Sequence, residues 1–118
     1  MTYDVIALTA AMPDLPSLMA ALMATGEDLR VDTPEAGGAI RLYTPGDEPI
    51  LTIDAPIYLQ VPGEARRLLG EAAMTEPMWW IEIRAVERDS ARAYARTLGT
   101  ALARRLGGHA VTPGESQP

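Results

Sequence analysis

The stretch PMWWIEIRAV, residues 77–86, decides how this chain is read. It is rich in aromatic and β-branched residues and alternates with period two, so it predicts a strand. Successive side chains of a strand point to opposite faces. Trp79, Ile81, Ile83 and Ala85 then share one wholly apolar face, expected to look into the core. Met78, Trp80, Glu82, Arg84 and Val86 share the other, where an indole stands beside a carboxylate and a guanidinium. The chain has two tryptophans and no phenylalanine, so one indole is assigned to the core and the second to a polar face.

Tryptophan combines a large apolar body with one N–H donor, the character enriched at interfaces. The second face therefore carries two readings. In one, Met78, Trp80, Glu82 and Arg84 form a binding platform. In the other, a following helix or the 56–62 connection covers Trp80 and leaves Glu82 and Arg84 at the rim of the sheet.

Working outward, YDVIALT (3–9) is a short, nearly continuous apolar run and predicts a strand buried on both faces. AMPDLPS breaks it, and Asp14 or Ser17 is placed to cap a helix that runs to Thr25 with Gly26 beyond its end. Leu15, Leu18, Met19, Leu22 and Met23 recur at helical spacing and are expected to face the core. Segments 29–33, 39–44 and 50–55 each alternate with period two. The turn-forming PEAGG and PGDEP separate them, so they predict a three-stranded antiparallel meander. PIYLQVPGE (56–64), interrupted by two prolines, reads as an irregular extended connection. A short helix, 64–73, and a long one, 90–106, capped by Asp89 or Ser90, flank the tryptophan strand, and HAVT (109–112) is a terminal edge strand. The order β-α-β-β-β-α-β-α-β is an α+β layout: a single mixed, mostly antiparallel sheet with helices packed on it. It is expected to form one domain over 1–113, with 114–118 a disordered tail.

Composition narrows the function. At 118 residues, 47% hydrophobic and 22% charged, the chain has the make-up of one ordinary globular domain. Cysteine is absent, which removes disulfides and thiolate chemistry, and the one histidine, His109, is too few for a histidine-based metal site. His109 has no nucleophile motif to serve, and neither a P-loop nor a G-x-G-x-x-G fingerprint occurs. No cofactor, no metal and no enzymatic activity are expected. The formal net charge of −6 argues against nucleic acid as a partner, since that binding is driven by cationic surface. The first segment lacks a basic start, and the longest uncharged run, Leu15–Gly26, is twelve residues, short of the ~20 that cross a bilayer. A cytoplasmic protein without membrane insertion is expected.

Charge is unevenly spread. Residues 1–54 hold nine acids against two arginines, and 55–118 hold seven acids against eight arginines. No acid occurs from Ser90 to Gly108, so Arg92, Arg96 and Arg104 of the last helix make a cationic face. Such a face is either solvated or docks on an acidic surface, including the acidic half of a second copy. On the first helix the arc opposite the apolar stripe, Ser17, Ala20, Ala21 and Ala24, is small and uncharged. Either the chain's own later segments or a partner covers it.

DVIALT, MPDLPSLMAALMATGEDLRV, VPGEARRLLG, PMWWIEIRA and LARRLGGHAVTP, together spanning most of 4–113, resemble an actinobacterial family of uncharacterised proteins often encoded near type VII secretion genes. No catalytic residues are established for that family, and its longer members continue past the position of Pro113. The resemblance implies an accessory or adaptor role. The expectation is a non-enzymatic interaction module, with a protein partner or a homo-oligomer and a candidate surface of Met78, Trp80, Glu82, Arg84, Arg92, Arg96 and Arg104. The alternatives are an immunity- or chaperone-like protein masking a basic partner, and a small-ligand binder or enzyme with a pocket near Trp80.

Overall fold

The tryptophan strand and the first strand form the middle of the sheet. In the computed structural model, which describes residues 2–25, 28–32, 39–70 and 75–113, the order is β1 (Thr2–Thr9), α1 (Leu15–Ala24), β2 (Arg30–Asp32), β3 (Ile40–Tyr43), β4 (Pro49–Ile53), β5 (Ile57–Leu59), α2 (Glu64–Leu69), β6 (Met78–Val86), α3 (Asp89–Arg105) and β7 (Gly108–Val111). The sheet runs β2-β3-β4-β6-β1-β7, with β5 also on β6, and every described pairing is antiparallel. The α+β class and the β2–β3–β4 meander are those expected. The tail at 114–118 lies outside the described residues.

β1 pairs with β6 along its whole length, from Thr2 opposite Val86 to Thr9 opposite Trp79. Both are central strands, and β1 buries both faces: Val5 and Ala7 are fully buried on one side, Ile6 and Leu8 on the other. α1 and α3 lie on the first face, over Tyr3, Val5, Ala7, Leu51, Ile53, Ile81, Ile83 and Ala85. Strands β7-β1-β6-β4 with two helices on one face reproduce the split β-α-β, ferredoxin-like order, extended at one edge by β2 and β3.

The segment 56–64, expected to be an irregular connection, contributes β5. Ile53 stands opposite Ile83 and Ile57 opposite Trp80, so three residues, Asp54, Ala55 and Pro56, oppose two of β6. This is a bulge of one extra residue between two pieces of strand on the same edge of β6, pinned by the Asp54 amide donating to the Glu82 carbonyl at 2.9 Å. A slip of one residue flips every later side chain to the opposite face. Ile53 thus faces the two long helices, while Leu59 turns to the second face of the sheet and packs there with Ile6, Leu8, Met78 and Val111.

α2, six residues long, closes that second cluster with Ala65 fully buried and Leu69 against it. It starts at Gly63, φ 85°, without a capping side chain of its own. The Glu76 carboxylate, just before β6, fills that role, accepting from the Ala65 amide at 2.7 Å and the Gly63 amide at 3.1 Å. The expected extension of this helix to 73 runs into 71–74, which lie outside the described residues. α3 starts at Asp89, which is a first-turn residue bonded to Arg92 at 2.6 Å; the N-cap is Arg88, with no side-chain capping bond.

The β1–β7 edge needs glycine at 108. A Cβ there would stand 1.7 Å from the Leu8 carbonyl oxygen, and a backbone atom cannot rotate away. Gly108→Ala should cost about 1–3 kcal/mol in urea unfolding. Gly46→Ala, whose Cβ would meet nothing closer than Thr44 Oγ1 at 3.7 Å, should stay within about 0.5 kcal/mol of wild type.

Candidate functional site

Trp80, Glu82 and Arg84 do lie together on the second face of the sheet, but their polar groups are engaged with one another. Trp80 Nε1 donates to Glu82 Oε1 at 3.4 Å, Glu82 Oε2 lies 3.4 Å from Arg84 Nε, and Arg84 donates through Nε to Asp54 Oδ2 at 3.0 Å and again through its second nitrogen. Hydrogen bonding to Asp54, then its charge, raises the Arg84 pKa further above the ordinary arginine range. Trp80 is half-buried against the cluster under α2. Met78, expected beside it on an exposed platform, is fully buried: β5 and α2 cover this end of the face, so Met78 is a core residue. Trp79, expected in the core, is half-buried at the end of the strand and stacks on Tyr58 across β5, ring centroids 4.8 Å apart.

The other half of the second face is open. A cleft of about 370 Å³ is lined by Arg41, Tyr43, Thr52, Asp54, Arg84 and Val86 among others. Trp80 and Glu82 do not line it. Among the described residues, Arg41 has no carboxylate within 4 Å, whereas Arg30 is paired to Asp47 at 2.9 Å and lies over Tyr43, and Arg88 is paired to Glu48 at 3.2 Å.

The cationic residues of α3 lie on the opposite side of the sheet, so the seven expected residues do not form one surface. Arg92 bonds Asp89 and reaches Glu87 at 4.0 Å, and with Arg96 it brackets the Tyr3 ring at 6.0 and 5.8 Å. Arg96 also donates to the Tyr3 hydroxyl at 3.3 Å. These two guanidiniums cover the end of β1. Arg104 stays exposed on a shallow surface with Thr97 and Thr100.

An exposed apolar arc, expected in the core from the sequence, arises because α1 is rolled about its axis. Its buried residues are Leu18, Ala21 and Leu22, while Leu15, Met19 and Met23, expected in the core, are 59%, 41% and 78% exposed. At 100° per residue this is a roll of roughly a quarter turn toward the small side of the helix. α1 packs chiefly sideways on α3, with Leu18, Ala21 and Leu22 in the shared core, and the small Ala21 suits that approach. The Thr25 and Tyr94 hydroxyls, 2.9 Å apart, tie the two helices at one end. The small arc is thus partly covered by the chain's own α3, and the methionine arc looks outward. Met12, in the loop before the helix, is also 65% exposed.

Rolling α1 toward α3 opens a groove on its other side. About 240 Å³ in volume, it runs between Pro13, Leu15 and Leu18 and the bulge residues Asp54, Ala55 and Pro56, over Ile40, Ile53, Ile81 and Leu102. Asp14 stands at its end as the N-cap of α1, accepting from the Ser17 amide at 2.8 Å; the Ser17 hydrogen bonds hold its carboxyl below the ordinary aspartate range, with Arg105 adding to the effect. The available signal was the absence of charge anywhere on α1. A helix apolar on more than one face buries one and shows another.

Among the described residues, no group of three or more histidines or carboxylates is placed to hold a metal ion, and no helix is long and apolar enough to cross a membrane. His109 is exposed on the edge strand β7. Compared with known proteins, the chain matches no family model, no curated protein and no solved structure.

Two outcomes follow for the second face. Met78→Ala should cost about 2–5 kcal/mol, as a cavity in a closed core does. The Ala65 amide, then the Glu76 amide, with Gly63 and Glu64 adding, hold the Glu76 carboxyl below the usual glutamate range. A lowered native pKa means that its contribution is complete above the ordinary glutamate value of about 4.3 and is lost as pH falls through the native value. Tryptophan emission, from Trp79 and Trp80 together, should shift to the red over that acid range in wild type, and Glu76→Gln should already show part of the shift at neutral pH.

Proposed function

We propose that this protein is a non-enzymatic interaction module whose docking element is the outward arc of α1, Leu15, Met19 and Met23, together with the groove beside it. One observation carries the reading: a helix of ten residues with no charge holds three large apolar side chains in solvent, in a row at i, i+4 and i+8. Contiguous exposed apolar residues mark interaction sites, and methionine, flexible and polarisable, is favoured on surfaces that adapt to a partner. Covering a Leu or Met side chain is worth about 1.5–3 kcal/mol at full burial, so three of them supply several kcal/mol toward docking. The groove adds an apolar floor and an acidic end at Asp14.

The resemblance to proteins encoded near type VII secretion genes supports an adaptor role beside that machinery. The engagement of Trp80, Glu82, Arg92 and Arg96 in contacts within the chain moves the reading from those residues to α1.

The double change Leu15→Glu/Met23→Glu tests it. Both positions are exposed, so helix content and unfolding midpoint should stay close to wild type, within about 0.5 kcal/mol per site. Partner capture from the native host should be lost. Capture that survives this change but is lost with Arg104→Glu would move the docking surface to α3.

A further inference from the structure

We infer that the open cleft on the second face of the sheet binds a small carboxylic acid with an apolar body, and that Arg41 is the anchor for its carboxylate. The cleft lies across the sheet from α1, so the inference stands apart from the docking role given to that helix.

Strand register places the polar groups. Arg41 of β3 stands opposite Thr52 of β4, and Thr52 stands opposite Arg84 of β6. Directly opposed residues of antiparallel strands share a face, so the three side chains form a row across the sheet. The two arginines start two strand spacings apart, roughly 9–10 Å, with only the small Thr52 side chain between them. One step along β3 the ladder shifts: Tyr43 stands opposite Pro49, while Ile50 is buried with the helix-side core and does not line the cleft. Its side chain thus leaves the space between Tyr43 and Val86 open. The resulting volume, about 370 Å³, is that of a small-molecule site.

The groups around this space differ in their commitments. Arg84 is bonded to Asp54 at 3.0 Å with Glu82 beside it, so its charge is largely offset. Arg30, paired with Asp47, lies 4.4 Å from the centre of the Tyr43 ring and backs that wall. Arg41 is different. Among the described residues its guanidinium makes no ion pair or hydrogen bond, although Asp32 stands across from it on β2. The Tyr43 and Thr52 hydroxyls, which line the same cleft, have no partner among those residues either. A planar fork of donors with two hydroxyls beside it matches a carboxylate.

Charge and shape select the class of acid. The lining holds Arg41 and Arg84 against Asp54, one net positive charge, and Asp32 and Asp4 stand at the two ends of the row. A monoanion is matched, whereas a phosphate dianion would meet those carboxylates as like charges. Val86, Pro49 and the Tyr43 ring give the acid's body an apolar surface.

Amide NMR titration with acetate, hexanoate and phenylacetate tests the site. The signals of Arg41, Tyr43, Thr52 and Val86 should shift and saturate with at least one acid, and the larger apolar bodies should bind more tightly than acetate. Phenylacetamide, neutral and of the same shape, should bind about tenfold more weakly than phenylacetate, and phenyl phosphate should also be weaker. Arg41→Gln should lose about tenfold in affinity with an unchanged unfolding midpoint, and Arg41→Lys, which keeps the charge without the fork, should fall between. Thr52→Val should lose roughly two- to tenfold. Leu15→Glu/Met23→Glu should bind the acids as wild type does, so acid binding and host-partner capture report on separate surfaces. The inference is overturned if none of the three acids gives a saturable shift at this row. It is equally overturned if phenylacetamide or phenyl phosphate matches phenylacetate, or if Arg41→Gln binds like wild type.

Discussion

The ladder between β1 and β6 is the constraint on which the rest depends. Its eight cross-strand pairs place Val5 beside Ile83 and Ala7 beside Ile81 on one face, and Ile6 beside Glu82 and Leu8 beside Trp80 on the other. A central strand buried on both sides cannot slip by one residue without exchanging its two apolar faces. That register sets where α3 must lie, since a Cβ on its Gly99 would stand 2.6 Å from Val5 Cγ1. It also sets where α2 must lie, over the second face at its tryptophan end.

The bulge at Asp54–Pro56 divides the second face into two halves of different chemistry. Before it, Thr52 stands level with Arg84 on the open ionic half; after it, Leu59 stands level with Met78 in a closed apolar cluster. The Trp80–Glu82–Arg84–Asp54 chain crosses the boundary. With Arg84 and Asp54 side chains 49% and 27% exposed, its ion pairs contribute little to stability, but they satisfy the polar groups that a ligand or partner would otherwise use.

The proposed role rests on a competition that α1 resolves in favour of α3. Apolar residues occupy more of the helix than one contact can bury. Small Ala21 and the branched Leu18 and Leu22 fill the interior, and unbranched Met19 and Met23 remain outside. Rolling the helix this way gains close helix–helix packing and leaves a groove beside the bulge.

By itself the sequence determined the strand at 78–86, the doubly buried first strand, the meander, the helices and the α+β class, because period-two and helical spacing are local properties of the backbone. It also narrowed the α1 cap to Asp14 or Ser17 and placed Ile81, Ile83 and Ala85 in the core. Only the tertiary structure decided which face of α1 is buried, that Met78 is sealed beneath α2, that Arg92 and Arg96 serve Tyr3, and that 57–59 is a strand turned over by a bulge. Each of these depends on which surface of another element arrives opposite, and periodicity within one segment carries no information about its distant neighbour.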